Sequence, residues 1–312
     1  MTLSMVIGAR SVPPADIWMY LRHPDPSSDI SQVVWASRVP RTVLTVIMGA
    51  ALGVAGALIQ ALTRNPLADP GILGVNAGAA FSIVLSMLFF QVSSFHSQMW
   101  FALLGAFATS GLVFLIAGSR RYSRDPVRVT LIGVALAAIL TATTSALLFF
   151  NPSMYLAMRS WSAGTLATQP LSVVTVTGPI VAIGLVLALA IYRSLDVLSL
   201  GEATAITMGV KPGRLRLVGL IALTLLTGAA TAACGPIAFL GLLAVHTVRP
   251  LVGAHQGWIM LYCLVTAPLI MAVSDVLGRI IIAGEVPVGM VTPALGAPLL
   301  VMIVRRLQPV TA

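Results

Sequence analysis

Side chains able to do covalent or metal chemistry are few in this sequence, and their spacing does not bring them together. Cys234 and Cys263 each lie in or beside an apolar stretch with no partner at metal-ligand spacing. His23, His96, His246 and His255 stand far apart along the chain, so sequence neighbours assemble neither a zinc nor a haem site. No metal site, bound cofactor or catalytic centre is expected. Lys211, the only lysine, follows Val210, and no G-x-x-x-x-G-K-[ST] pattern occurs, which excludes nucleotide binding through a P-loop. The chemistry left to this chain is that of arginines meeting carboxylates and of turns that fix the backbone.

Three clusters have that character. Arg38 and Arg41 are three residues apart, so a helical start puts both on one face, pointing away from the membrane. Arg279 falls on the same side under the topology derived below, and Asp275, four residues before it, has the spacing of an ion pair. Charges that only anchor helix ends are the alternative for all three arginines. In the second cluster, Arg64-Asn65-Pro66-Leu67-Ala68-Asp69-Pro70-Gly71, the Asn-Pro and Asp-Pro-Gly breakers force a compact, rigid connection. It reads either as a tight hairpin between packed helices or as an ordered cytoplasmic element of a transporter. The third, Ser199-Leu200-Gly201-Glu202, reads as a capping box, in which Ser199 accepts from the third helical amide and Glu202 reaches back to the cap. Ala203 and Thr204 continue that helix and Gly209 stops it. At about eight residues it is too short to span a membrane or to stand alone in water. It must dock, either on its own bundle or on a partner protein.

The elements that position these clusters are membrane helices. The sequence is 58% hydrophobic and only 9% charged, with a mean hydropathy of +1.00, whereas about a quarter of the residues in a soluble domain carry charge. Nine apolar windows fit spans: 42–62, 72–90, 99–118, 129–150, 171–192, 215–233, a short one at 237–249, 259–281 and 286–304. Cys234-Gly235-Pro236 splits what would otherwise be one overlong helix. In the first window, Gly49, Gly53 and Gly56 have the spacing that lets helix backbones approach closely in lipid, although small residues are common in membrane helices generally.

Placing the Arg64 loop inside the cell puts 12 of the 18 basic residues there, as short Lys- and Arg-rich loops require. The net charge of +9 is then accounted for by span ends, not by a nucleic-acid surface. Almost no acidic residue lies in the spans, which weakens an ion-coupled secondary carrier, and a membrane enzyme lacks converging groups. With the start outside and only an apolar scrap at residues 5–9, the sequence predicts that most of a first helix is missing. The fold expected is an all-α polytopic bundle, one domain over 1–312, with an external segment at 1–37 and a cytoplasmic helix at 199–210.

Several blocks in order resemble the FecCD-type permeases, the membrane subunits of ATP-driven importers of ferric siderophores, haem and cobalamin. They are Arg38–Arg41, the helix from Gly49 to Gln60, Thr63–Gly71, Leu73–Gly78, Gly201–Thr204, Gly235–Gly241, Gly284–Gly289 and Gly296–Pro298. Within the family the chain is most similar to the ferric-enterobactin and related catecholate siderophore permeases. The resemblance implies ten spans with both ends cytoplasmic, and a second permease copy or paralogue with the path along the dimer axis. It implies two ATPase subunits that hold ATP and Mg and contact Ser199–Gly209 as a coupling helix. It also implies a periplasmic or lipid-anchored binding protein whose acidic residues meet Arg38, Arg41 and Arg279. A cobalamin or haem importer of the same family is the alternative. One departure is Val245, where the family usually has a proline before the histidine.

Overall fold

The computed structural model describes residues 5, 12–25, 27–117, 126–167, 169–281 and 285–307. Arg10, Arg120, Arg121, Arg124 and Gly284, used above for orientation or similarity, lie outside these residues. All nine apolar windows form helices. Six described helices are long and apolar enough to cross a membrane, and the windows at 75–90, 240–252 and 288–302 form shorter apolar ones.

A surface helix, α1 (Pro14–Arg22), precedes α2 (Asp29–Val33), which runs through a widened turn at Val34–Arg38 into α3 (Val39–Thr63). The widened turn lies just before Pro40, whose ring and missing N–H forbid the regular bond to the residue four back. Arg64, in the left-handed region at φ 51°, ends α3. A 3₁₀ turn at Pro70–Leu73 then leads to α4 (Val75–Phe90), α5 (Phe95–Ala117), α6 (Pro126–Phe149), α7 (Pro152–Ser162) and α8 (Ser172–Ala190). Two short helices follow, α9 (Tyr192–Ser199) and α10 (Glu202–Thr207). The chain closes with α11 (Pro212–Cys234), α12 (Leu240–Val252), α13 (Gln256–Ile281) and α14 (Val288–Leu307).

Helix α3 is the axis of the bundle and is buried nearly all round, packing on α11, α12 and α13, whereas α6 lies at the perimeter with most of its surface exposed. The glycine spacing explains the difference. A Cβ on Gly49 would stand 2.7 Å from the Pro268 Cα, one on Gly53 would meet Ala267 and the Cys263 carbonyl, and one on Gly56 would meet the Gly241 backbone. Without side chains there, α3 lets α12 and α13 approach to backbone contact, the close packing that the small-residue spacing predicts.

The break after Cys234 also forms where expected. Gly235 (φ 75°) ends α11, and Phe239 (φ 66°) precedes α12. The second half of the Arg64–Gly71 connection packs into the bundle: Asp69, Pro70 and Gly71 share a small cavity with Leu52, about three turns back along α3 from its end. The segment can fold inward because its own side chains satisfy its backbone, Asn65 Oδ1 accepting from Leu67 N (2.9 Å) and Asp69 Oδ1 from Gly71 N (2.9 Å).

Candidate functional site

At one end of the bundle, α9 and α10 form a small appendage. Its anchors are polar: Arg64 donates to the Leu198 carbonyl at 2.7 Å, Asp196 Oδ1 accepts from Gln256 N at the start of α13 at 2.7 Å, and Glu202 pairs with Arg216 of α11 at 2.9 Å. Leu195, Leu198 and Ala205 are buried beneath it. Its outward face carries large apolar side chains, Leu200, Ile206 and Met208 being 67%, 57% and 59% exposed, beside the exposed Thr204 and Thr207.

The capping box expected at Ser199–Glu202 does not form. Ser199 is the last residue of α9, and its hydroxyl donates to the Asp196 carbonyl, while α10 begins behind Gly201 with no side-chain cap. Gly201 adopts φ 120°, a conformation open to glycine, and so turns the chain between two helices where a capping box needs one helix start. Glu202, freed from the cap, takes Arg216 instead. Gly209 (φ 82°) follows α10 as expected, and Ala203 and Thr204 lie within it.

At the opposite end, charges are packed inside the protein. The Arg41 guanidinium forks onto Asp275 through Nη2 (2.7 Å) and Nε (3.0 Å) and reaches Glu285 through Nη1 (2.9 Å). Arg279 pairs with the other oxygen of Asp275, which confirms the four-residue spacing. Side-chain exposure is 9% for Arg41, 2% for Asp275 and 3% for Arg279, and Arg38 is also buried, with Arg279 close by. The outward-pointing geometry expected for Arg38 and Arg41 is therefore corrected. Asp275 on α13 and Glu285 beyond it are the counter-charges that the buried Arg41 needs, while Arg38 donates to the Met5 carbonyl.

Between these ends, Asp69 Oδ2 accepts from Phe239 N (3.1 Å), Asn76 Oδ1 accepts from the Thr231 hydroxyl (2.7 Å), and the His246 ring donates from Nε2 to the Pro66 carbonyl (2.9 Å). Val245, beside His246, is fully buried. Sequence reasoning missed Glu285 as an Arg41 partner, and it missed Asp196, Asn76 and the second bond of Asp69. These partners lie tens to hundreds of residues away along the chain, so no local spacing announces them. No group of three or more metal-ligating side chains occurs among the described residues.

Residues 1–306 match the FecCD transport family. The chain belongs to that family. It is 43% identical over 304 residues to the ferric enterobactin transport system permease protein FepD of Escherichia coli K12, covering 97% of this chain and 91% of that protein. The hemin transport system permease protein HmuU of Yersinia pestis is 32% identical, covering 90% and 85%. Among solved structures, a metal-chelate type ABC transporter in an inward-facing conformation superposes with a TM-score of 0.83 at 27% identity, covering 98% of this chain and 94% of that one. This FecCD permease is thus a multi-pass protein of the cytoplasmic membrane with the all-helical fold of an ABC importer permease, a class of transport subunits that are not themselves enzymes.

Proposed function

We propose that this chain is the permease subunit of an ABC importer that carries an iron(III)–siderophore across the cytoplasmic membrane, driven by a separate ATPase. The observation that carries the substrate class is the 43% identity to the ferric enterobactin permease over nearly the whole chain, against 32% to the hemin permease. The permease supplies a pathway and holds no nucleotide; ATP and Mg reside on the two ATPase subunits.

The geometry supports a division of labour between the ends. Each ATPase subunit receives the appendage Ser199–Gly209, with Leu200, Ile206 and Met208 as the buried centre of that contact and Gly201 as the turn that presents α10. Exposed apolar groups on a short helix tied down by polar bonds suit a partner, because burying them against protein removes roughly 25 cal/mol per Å² of apolar surface from water. A periplasmic or lipid-anchored binding protein docks at the opposite end. There Arg159, exposed on α7 beside Glu285, supplies positive charge at the surface, while the buried Arg38, Arg41 and Arg279 hold the rim beneath it. Positive potential steers such an encounter and sets its register more than it adds affinity. A second permease, a copy or a paralogue, completes the pathway. ATP-driven closure of the ATPases shifts α9 and α10, and the bundle alternates between outward- and inward-open states.

The test is reconstitution of the permease with its ATPase and binding protein in proteoliposomes, with ATP hydrolysis measured on addition of a ferric catecholate, haem or cobalamin. Stimulation by the ferric catecholate is expected. Stimulation by haem or cobalamin alone would replace the substrate, and uptake that needs an ion gradient and no ATP would replace the class.

A further inference from the structure

We infer that residues 64–76 form a clasp, with Arg64 and Asp69 as positioning residues, that carries movement of α9 to the break between α11 and α12. This rests on the proposal that α9 and α10 are the ATPase contact.

Arg64 belongs to two helix ends at once. Its left-handed backbone terminates α3, and its guanidinium donates to the Leu198 carbonyl, at the negative end of α9. From there the chain makes three bonds to one corner of the bundle. Pro66 accepts from His246 on α12, Asp69 from the backbone of Phe239 in front of α12, and Asn76 from Thr231 on α11. Asp69 bridges, because its other oxygen holds Gly71 of its own segment. A shift of the clasp therefore pulls on the α12 N-terminus through the bond from Phe239 N to Asp69.

The connection is stiff. Two side-chain-to-backbone turns, at Asn65 and Asp69, and the prolines at 66 and 70 leave little slack to absorb a displacement. The corner it grips is a break in a helix inside the bundle, where few regular bonds resist rearrangement. The corner in turn touches the outer half of the molecule. Phe239 lies against Gly296 of α14, whose added Cβ would stand 2.8 Å from the Phe239 Cβ. Thr165 N donates to the Cys234 carbonyl (2.8 Å) and Gly289 N to the Gly164 carbonyl (2.9 Å). That loop borders an open groove lined by Arg159, Ala163 and Glu285. Leu198, Arg64, Asp69 and Phe239, with Pro236 against Gly164 in the same break, thus connect the appendage to the opposite mouth along bonded and contacting groups.

The experiment uses the full transporter in proteoliposomes and reads two quantities: retention of the ATPase on purification, and ATP hydrolysed per ligand taken up. Arg64→Ala and Asp69→Ala are expected to retain the ATPase and to raise the ATP used per ligand about tenfold, within the span of coupling between sites. Asp69→Asn, which keeps an acceptor oxygen, should recover part of the loss. The double variant should be no worse than the worse single one, since groups in series are not additive. Assembled single variants with the wild-type ratio, or a double variant whose loss is the product of the two, would overturn the clasp. Should Asp69→Ala fail to assemble, His246→Ala and its donor-preserving counterpart His246→Gln test the neighbouring bond by the same ratio, and equal ratios for both would overturn the clasp. A parallel Leu200→Asp variant separates the two proposals. Loss of the ATPase there supports the contact on which the clasp rests, whereas retention overturns that contact whatever the Asp69 variants do.

Discussion

The two ends of this permease handle charge and apolar surface in opposite ways. At the Arg41 end, Arg41, Asp275 and Arg279 are nearly sealed from solvent and paired with one another, with Glu285 at the edge. At the other end, α9 and α10 hold their charged pairs at a partly exposed margin and turn leucine, isoleucine and methionine outward. Buried ions keep helix ends in one arrangement because separating them leaves a charge without water or partner. Exposed apolar groups on a lightly anchored appendage gain by being covered. One end is built as a fixed rim and the other as a surface for a partner.

The contrast is open to tests of decreasing size. Removing Asp275 leaves two buried arginines without their shared carboxylate, so Asp275→Ala should lower stability by about 3–5 kcal/mol, seen as a large drop in the thermal unfolding midpoint of the detergent-solubilised protein. A midpoint close to wild type would mean that the rim is not locked by charge. At the inner end, Leu200→Ser should leave that midpoint unchanged and weaken ATPase association by roughly tenfold or more, the worth of one buried leucine at about 1.5–3 kcal/mol. Titration of the ATPase onto immobilised permease measures it. The smallest effect belongs to Glu202→Gln, since both partners of its ion pair with Arg216 reach solvent. A cost under about 1 kcal/mol, fading as salt rises, is expected from unfolding curves at two ionic strengths. A Glu202 effect as large as that of Asp275 would erase the distinction between the ends.

Much of the fold is legible along the chain. Apolar windows become helices because no other backbone arrangement satisfies itself in lipid, apart from closed barrels. Gly235-Pro236 breaks a helix by its own chemistry, and Asp275 and Arg279 meet because a helix turn brings them together. The site was less legible. The Ser199 pattern matched a capping box, yet glycine between its two members allowed a backbone turn that no pattern of side chains encodes. Burial of Arg41 depends on Asp275, which the packing of α3 against α13 brings to it, with Glu285 at the edge, and no spacing in the sequence sets that meeting.

The sequence by itself determined that the chain spans a membrane, where its long apolar helices lie, that one of them breaks at Gly235, and which glycines let helices touch, because those properties reside in composition and in neighbours a turn apart. Only the tertiary structure decided which charges are buried, that Asp69 reaches Phe239, and which face of the inner appendage is left bare. Those outcomes depend on contacts between residues far apart in sequence, and packing, with the desolvation of the groups it encloses, chooses among the partners available.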